Sequence, residues 1–132
     1  MKKYLIKKLK KSDYDRIAIL QDIESNLKLI VSFIEYDNDN KVKERDIIEG
    51  RLFIQYVCKS FKTNKELKLI QPLEESPHVE GILKVLKIIS TDSLVAKYPF
   101  LNIEILIEFE DDVTYKKNDI IFVEGELSIE LE

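Results

Sequence analysis

The chain has 132 residues, 45% of them apolar and 35% charged, with a formal net charge of −4. That balance suits one domain able to bury its own core, and it excludes a disordered tail. One His, one Cys, no Trp and three Gly also exclude a cysteine-built zinc site, a disulfide framework and a glycine-rich phosphate cradle.

Ile and Val together number 27, against two Ala, Ala18 and Ala96. β-Branched side chains are stiff and fit a pleated surface, whereas Ala is the residue helices favour most. The ratio predicts an all-β chain. Charge is spread unevenly: residues 1–17 carry seven basic and two acidic groups, residues 91–132 three and eleven. A net acidic balance argues against a protein that wraps nucleic acid over its whole surface. The opening MKKYLIKKLKK has no apolar core of a signal peptide, because Lys returns every two or three residues. No stretch approaches the roughly 18 apolar residues of a membrane-crossing helix. With Cys58 the lone cysteine, a reducing cytoplasm and no membrane partner are the expectation.

In chain order, apolar residues at every second position predict strands near 3–10, 16–21, 27–36 and 47–57. Four more follow near 82–90, 93–98, 102–110 and 119–131. Turn formers separate them: Ser12-Asp13, Glu24-Ser25-Asn26, Asp37-Asn38-Asp39-Asn40, Thr91-Asp92, Pro99, Asp111-Asp112 and Lys117-Asn118. The two sets resemble one another. Ile34-Glu35-Tyr36-Asp37 recurs as Ile107-Glu108-Phe109-Glu110, and Asp46-Ile47-Ile48 as Asp119-Ile120-Ile121. Glu49-Gly50-Arg51-Leu52-Phe53-Ile54 recurs as Glu124-Gly125-Glu126-Leu127-Ser128-Ile129. A single all-β domain over 1–132 follows, with pseudo-repeats at about 3–57 and 82–131 closed together as a barrel or sandwich. Residues 58–79 lie outside the repeat. Lys59, Lys62, Lys65 and Lys68 make them a basic connector with room for a short helix, while Pro72 and Pro77 keep its end extended.

The phrase Lys117-Asn118-Asp119-Ile120-Ile121-Phe122-Val123-Glu124-Gly125-Glu126-Leu127, echoed at Arg45 to Leu52, resembles the turn-then-strand phrase of OB-fold barrels. The resemblance implies a coiled barrel strand at its Gly, and a binding role toward single-stranded nucleic acid, oligosaccharide or protein.

Alternation also assigns faces. Ile103, Ile105, Ile107 and Phe109 point inward while Glu104, Glu108 and Glu110 point out; likewise Leu127, Ile129 and Leu131 point in, with Glu124 and Glu126 out. If those two strands are neighbours, the second copy has an acidic outer face. Carried onto the first copy, the register puts Leu52, Ile54, Tyr56, Ile34 and Tyr36 inside. It leaves Val31, Phe33 and Phe53 outside, an apolar patch unless the segment after residue 58 folds over it.

No set of residues reads as catalytic. His78, between Pro77 and Val79, has no nucleophile or acid at a recognisable spacing, and Cys58 reads as a small inward hydrophobe. Asp37 to Asn40 fails the calcium-loop pattern at Lys41, Val42 and Ile48, so it reads as a turn. No cofactor and no metal are expected. The leading expectation is therefore a non-catalytic module that binds a protein partner, an inhibitor or immunity-type protein acting by occlusion. Its surface would be Val31, Phe33, Phe53, Glu108, Glu110 and Glu126. The alternative is a single-stranded nucleic-acid binder using Arg51, Phe53, Lys59, Phe61, Lys62 and Lys65, whose cations track phosphates while the aromatics stack on bases.

Overall fold

A computed structural model describes residues 2–11, 16–33, 42–98 and 102–132. Among these residues the chain is all-β, with nine strands in one sheet and no helix. No helix is therefore long and apolar enough to cross a membrane. The strands are β1 (Lys3–Lys11), β2 (Arg16–Asp22), β3 (Lys28–Phe33), β4 (Ile47–Lys62), β5 (Lys68–Ile70), β6 (His78–Ser90), β7 (Ser93–Tyr98), β8 (Ile103–Glu108) and β9 (Ile120–Leu131).

Alternation explains them. In β8, Ile103, Ile105 and Ile107 are buried while Glu104 and Glu108 are exposed. In β9 the buried series runs Ile121, Val123, Gly125, Leu127 and Ile129. These residues and their partners join one continuous apolar core.

The sheet order is β1-β2-β3-β9-β4-β8-β7-β6-β5, and it closes on itself through additional pairings of β1 with β4 and β6 with β9. Two five-stranded circuits result, β1-β2-β3-β9-β4 and β6-β7-β8-β4-β9, and both use the long antiparallel β4–β9 pair. Each circuit contains one parallel pairing, β3 with β9 in the first and β4 with β8 in the second. The pairing is two-fold symmetric about one point. Leu52 faces Ile129, Ile54 faces Leu127, and Phe53 faces Ser128 between them. Each set of three strands thus takes its fourth and fifth members from the shared pair. Neither half closes alone.

The turn entering each shared strand is duplicated down to its hydrogen bonds. Lys43 N donates to Asp46 Oδ2 at 2.9 Å, and Lys116 N donates to Asp119 Oδ2 at 2.8 Å. Arg45 and Asn118 occupy the left-handed region at φ 73° and 76°. The backbone donor from Lys116 is the main reason the Asp119 carboxyl sits below its ordinary range, with Lys62 adding to it against a partial burial.

Several expectations need correction. The stretch 58–79 holds no helix. β4 runs on to Lys62 because Lys59, Ser60, Phe61 and Lys62 pair with Glu124, Val123, Phe122 and Ile121, and β5 then adds to β6. Val31 and Phe33 are buried core residues, not an outer patch. Phe33 pairs with Ile129 and Ile107 with Ile54, so Phe33 is the counterpart of Ile107 and not of Leu106. Matching Ile34 to Ile107 is one residue out of step, and a one-residue slip sends every side chain to the opposite face. Phe53 does stand on the face opposite Leu52 and Ile54, yet it is only 5% exposed. Nor are β8 and β9 neighbours, since β4 lies between them. Tyr56 and Cys58, expected inside, are exposed, because a bulge between Gln55 and Lys59 breaks the alternation. Ile34, Glu35, Tyr36, the Asp37–Asn40 turn, Ser12-Asp13 and Pro99 lie outside the described residues.

Candidate functional site

Each shared strand forks. Along one edge of β4, residues Ile47 to Glu49 pair with β1 and Leu52 to Ile54 with β8. Along the outer edge of β9, residues up to Glu126 pair with β6, and Ser128 and Ile129 with β3. A cleft opens in each fork. Gly50 and Arg51 line the first, Gly125 and Glu126 the second.

The first cleft, about 380 Å³, carries Lys2, Arg51, Lys87 and Glu104 around Tyr4 and Leu106. Lys2 is committed elsewhere, at 3.0 Å from Asp22 and 3.2 Å from Glu24. Burial opposes both charges of the Lys2–Asp22 pair. Their mutual hydrogen bond, with Ser25 donating to Asp22 and Glu24 accepting from Lys2, more than offsets it, holding Asp22 below and Lys2 above their ordinary ranges. Arg51 and Lys87 make no ion pair among the described residues.

The second cleft, about 440 Å³, is lined by Ile17, Tyr56, Leu73, Pro77, His78 and Glu126, with Cys58 at its edge. Tyr56 is 68% exposed and held at φ 53°, inside the bulge. A bulky non-glycine residue in the left-handed region is strained, and such strain collects where a side chain must be aimed. Leu73 beside it is also exposed. Gln71, just after β5, reaches β3. Its Nε2 donates to Ile30 O at 2.6 Å and its Oε1 accepts from Ile30 N at 2.7 Å, so a side chain stands where a further strand would pair.

Beyond the cleft lies the outer face of β5, β6, β9 and β4. Its cross-strand rows read His78–Glu126–Gln55, then Ile70–Glu80–Glu124–Lys59, then Lys68–Ile82–Phe122–Phe61. His78 Nε2 lies 3.3 Å from Glu124 Oε2. Phe61 stacks on Phe122 with ring centroids 4.9 Å apart, and Lys59 Nζ sits 5.6 Å from the Phe61 ring centre.

The residues singled out from sequence are thus scattered. Glu126 lines the second cleft, Glu108 ends β8 on the far side of β4, and Glu110 is exposed in the turn after it. Of the basic–aromatic set, Arg51 lines the first cleft while Lys59, Phe61 and Lys62 share the end of β4; Lys65 is exposed in the turn beyond it. Lys62 is paired with Asp119 at 3.3 Å. Sequence reasoning missed Tyr56, Leu73, Glu80 and Glu124. The spacing of His78 and Glu80 by two was visible, but their relation to Glu124 needs the β6–β9 register.

Comparison with protein-family models, with curated proteins and with solved structures found no match to this chain.

Proposed function

We propose that this chain is a non-catalytic binding module whose second cleft holds an extended segment of a protein partner bearing a basic side chain. One observation carries the reading. Tyr56, the most exposed large apolar residue described, is held in a strained backbone conformation at the mouth of a cleft that also presents Leu73 and Glu126. Tyrosine supplies a large, stiff contact at low entropic cost, and a carboxylate on the cleft wall selects a cation. Occlusion of a partner by such a grip is how an inhibitor or an immunity-type protein works. The single Cys58, an exposed thiol, suits a reducing cytoplasm.

A second reading, single-stranded nucleic-acid binding, is favoured by Phe61, 41% exposed on top of Phe122 with Lys59 beside it. Five strands per circuit agree with the OB-like phrase at Lys117 to Leu127. Against it, Glu80 and Glu124 occupy the adjoining row.

Fluorescence anisotropy separates the two readings. Labelled pools of Lys/Arg-bearing and of acidic peptides, and a labelled oligothymidylate, are titrated at about 50 and 200 mM salt. The basic pool alone should bind, and Tyr56→Ala should weaken it roughly tenfold or more, as loss of an interface anchor does. Oligothymidylate binding that falls steeply with salt and disappears in Phe61→Ala would replace this reading with the second.

A further inference from the structure

We propose that His78, Glu80 and Glu124 form a binding site for a divalent first-row transition ion of the Zn²⁺ type. The proposal does not rest on the peptide-binding reading: His78 also lines the second cleft, but Glu80 and Glu124 do not.

Placement comes from the strands. His78 and Glu80 are two apart on β6 and so share a face; Glu124 on β9 stands directly opposite Glu80. One donor atom from each residue lies within 4.8 Å of the other two, and all three side chains are half-buried. Ligand atoms at about 2.1 Å from a tetrahedral ion lie about 3.4 Å apart. The His78–Glu124 edge of the triangle, at 3.3 Å, already has that length.

The electrostatics give a separate reason. Like charges directly opposite on neighbouring strands destabilise a sheet, and Glu80 facing Glu124 is such a pair. Among the described residues no lysine or arginine forms an ion pair with either carboxylate, and the one ionisable partner in reach is His78, 3.3 Å from Glu124. Lys59, across from Glu124 on β4, lies over the Phe61 ring and makes no ion pair among the described residues. At the matching place in the first circuit Lys3 faces Glu49, and their charges approach to 3.7 Å. The second copy has thus placed two carboxylates and the chain's single imidazole where the first has a complementary pair. An imidazole with two carboxylates suits zinc or its neighbours, whereas an all-oxygen shell would suit calcium or magnesium. Three protein ligands leave a position for water or an incoming ligand.

Isothermal titration of the full chain with ZnCl₂, in a buffer free of chelators, tests the site. One ion should bind per chain in the micromolar range, with Mg²⁺ failing to compete at a large excess. His78→Ala and Glu80→Gln should each weaken binding roughly tenfold or more. Cys58→Ser should leave it unchanged, since that thiol donates to the Glu124 carbonyl and stands outside the triad. Circular dichroism of each variant checks that the sheet persists. Absence of binding at about 100 μM Zn²⁺, retention of binding in both triad variants, or its loss in Cys58→Ser would each overturn the proposal.

Discussion

At one end of the shared strand pair Lys3 faces Glu49; at the symmetric place Glu80 faces Glu124. Arg51 lines one fork and Glu126 the other. The backbone framework is repeated, down to the Asp-closed turns before β4 and β9, while the groups displayed on it have changed sign. What the two circuits keep in common marks what the sheet requires. What differs marks surface free to acquire a ligand.

Glycine is the first test of the common part. Gly50 and Gly125 occupy matching places in the two forks, where β4 and β9 run against each other. A Cβ built at Gly125 would stand 2.7 Å from Gln55 O and 2.9 Å from Ile54 Cγ2; at Gly50 it would stand 2.9 Å from Glu130 O. Backbone oxygens cannot turn aside as side chains do. Gly125→Ala and Gly50→Ala should therefore each cost about 3 kcal/mol in urea unfolding, the upper range of overpacking. Gly81→Ala, which meets side chains alone, Leu83 at 3.2 Å and Leu69 at 3.5 Å, should cost about 1 kcal/mol or less. If Gly81→Ala proves as costly as Gly125→Ala, close approach of the shared strands is not what these residues provide.

How legible was this from sequence? Eight of the nine strands follow from alternation alone, because each has one wet face and one dry one. The duplication was legible too, in the Glu49-Gly50 and Glu124-Gly125 phrases that start the symmetric stretch. Register was not. Phe33 went to the wrong face because the Ile34-Glu35 and Ile107-Glu108 likeness anchors an alignment one residue off, and local similarity contains no information on cross-strand partners. The bulge at Tyr56 was invisible for a related reason. Nothing in Gln55-Tyr56-Val57-Cys58 asks for a left-handed residue, so tertiary pairing on both sides of the bulge imposes it. The triad of His78, Glu80 and Glu124 needed a pairing across more than forty residues of chain.

Acid and base probe the first copy. Asp22 is buried, yet its carboxyl titrates below its ordinary value through its bonds to Ser25 and Lys2. A depressed carboxyl contributes stability that is present above the unfolded-state pKa, about 3.9, and lost as pH falls through the folded one. Lys2 and Tyr4 have the opposite sign. Burial dominates at Tyr4 and raises its pKa, while at Lys2 burial is outweighed by Asp22 and Glu24. Their contribution is present below the unfolded value, about 10, and lost as pH rises. Asp22→Asn should cost about 2 kcal/mol near pH 7, the loss of a charge-assisted hydrogen bond. Thermal unfolding between pH 3 and 7 should show the gap between the two proteins closing below about pH 4. A gap that stays constant down to pH 3 would mean that the Asp22 charge contributes nothing.

The smallest effect bears most directly on the comparison. Glu80→Lys would place in the second copy the pairing that Lys3 and Glu49 make in the first. Replacing a like-charge cross-strand pair by an opposite one should add about 0.5 kcal/mol of stability, and added salt should erase the gain. The reciprocal Lys3→Glu should cost a similar amount. It should not create a Zn²⁺ site, because the first copy has no imidazole beside the pair: His78 is the chain's only histidine. Measured together by chemical denaturation, the two variants separate repulsion from ligation. If Glu80→Lys gains stability and loses Zn²⁺ binding, the second copy has given up a surface ion pair for a metal site. If Glu80→Lys gains nothing while Lys3→Glu costs its share, Glu80 and Glu124 do not repel in the folded protein, and the electrostatic half of the metal argument falls with that result.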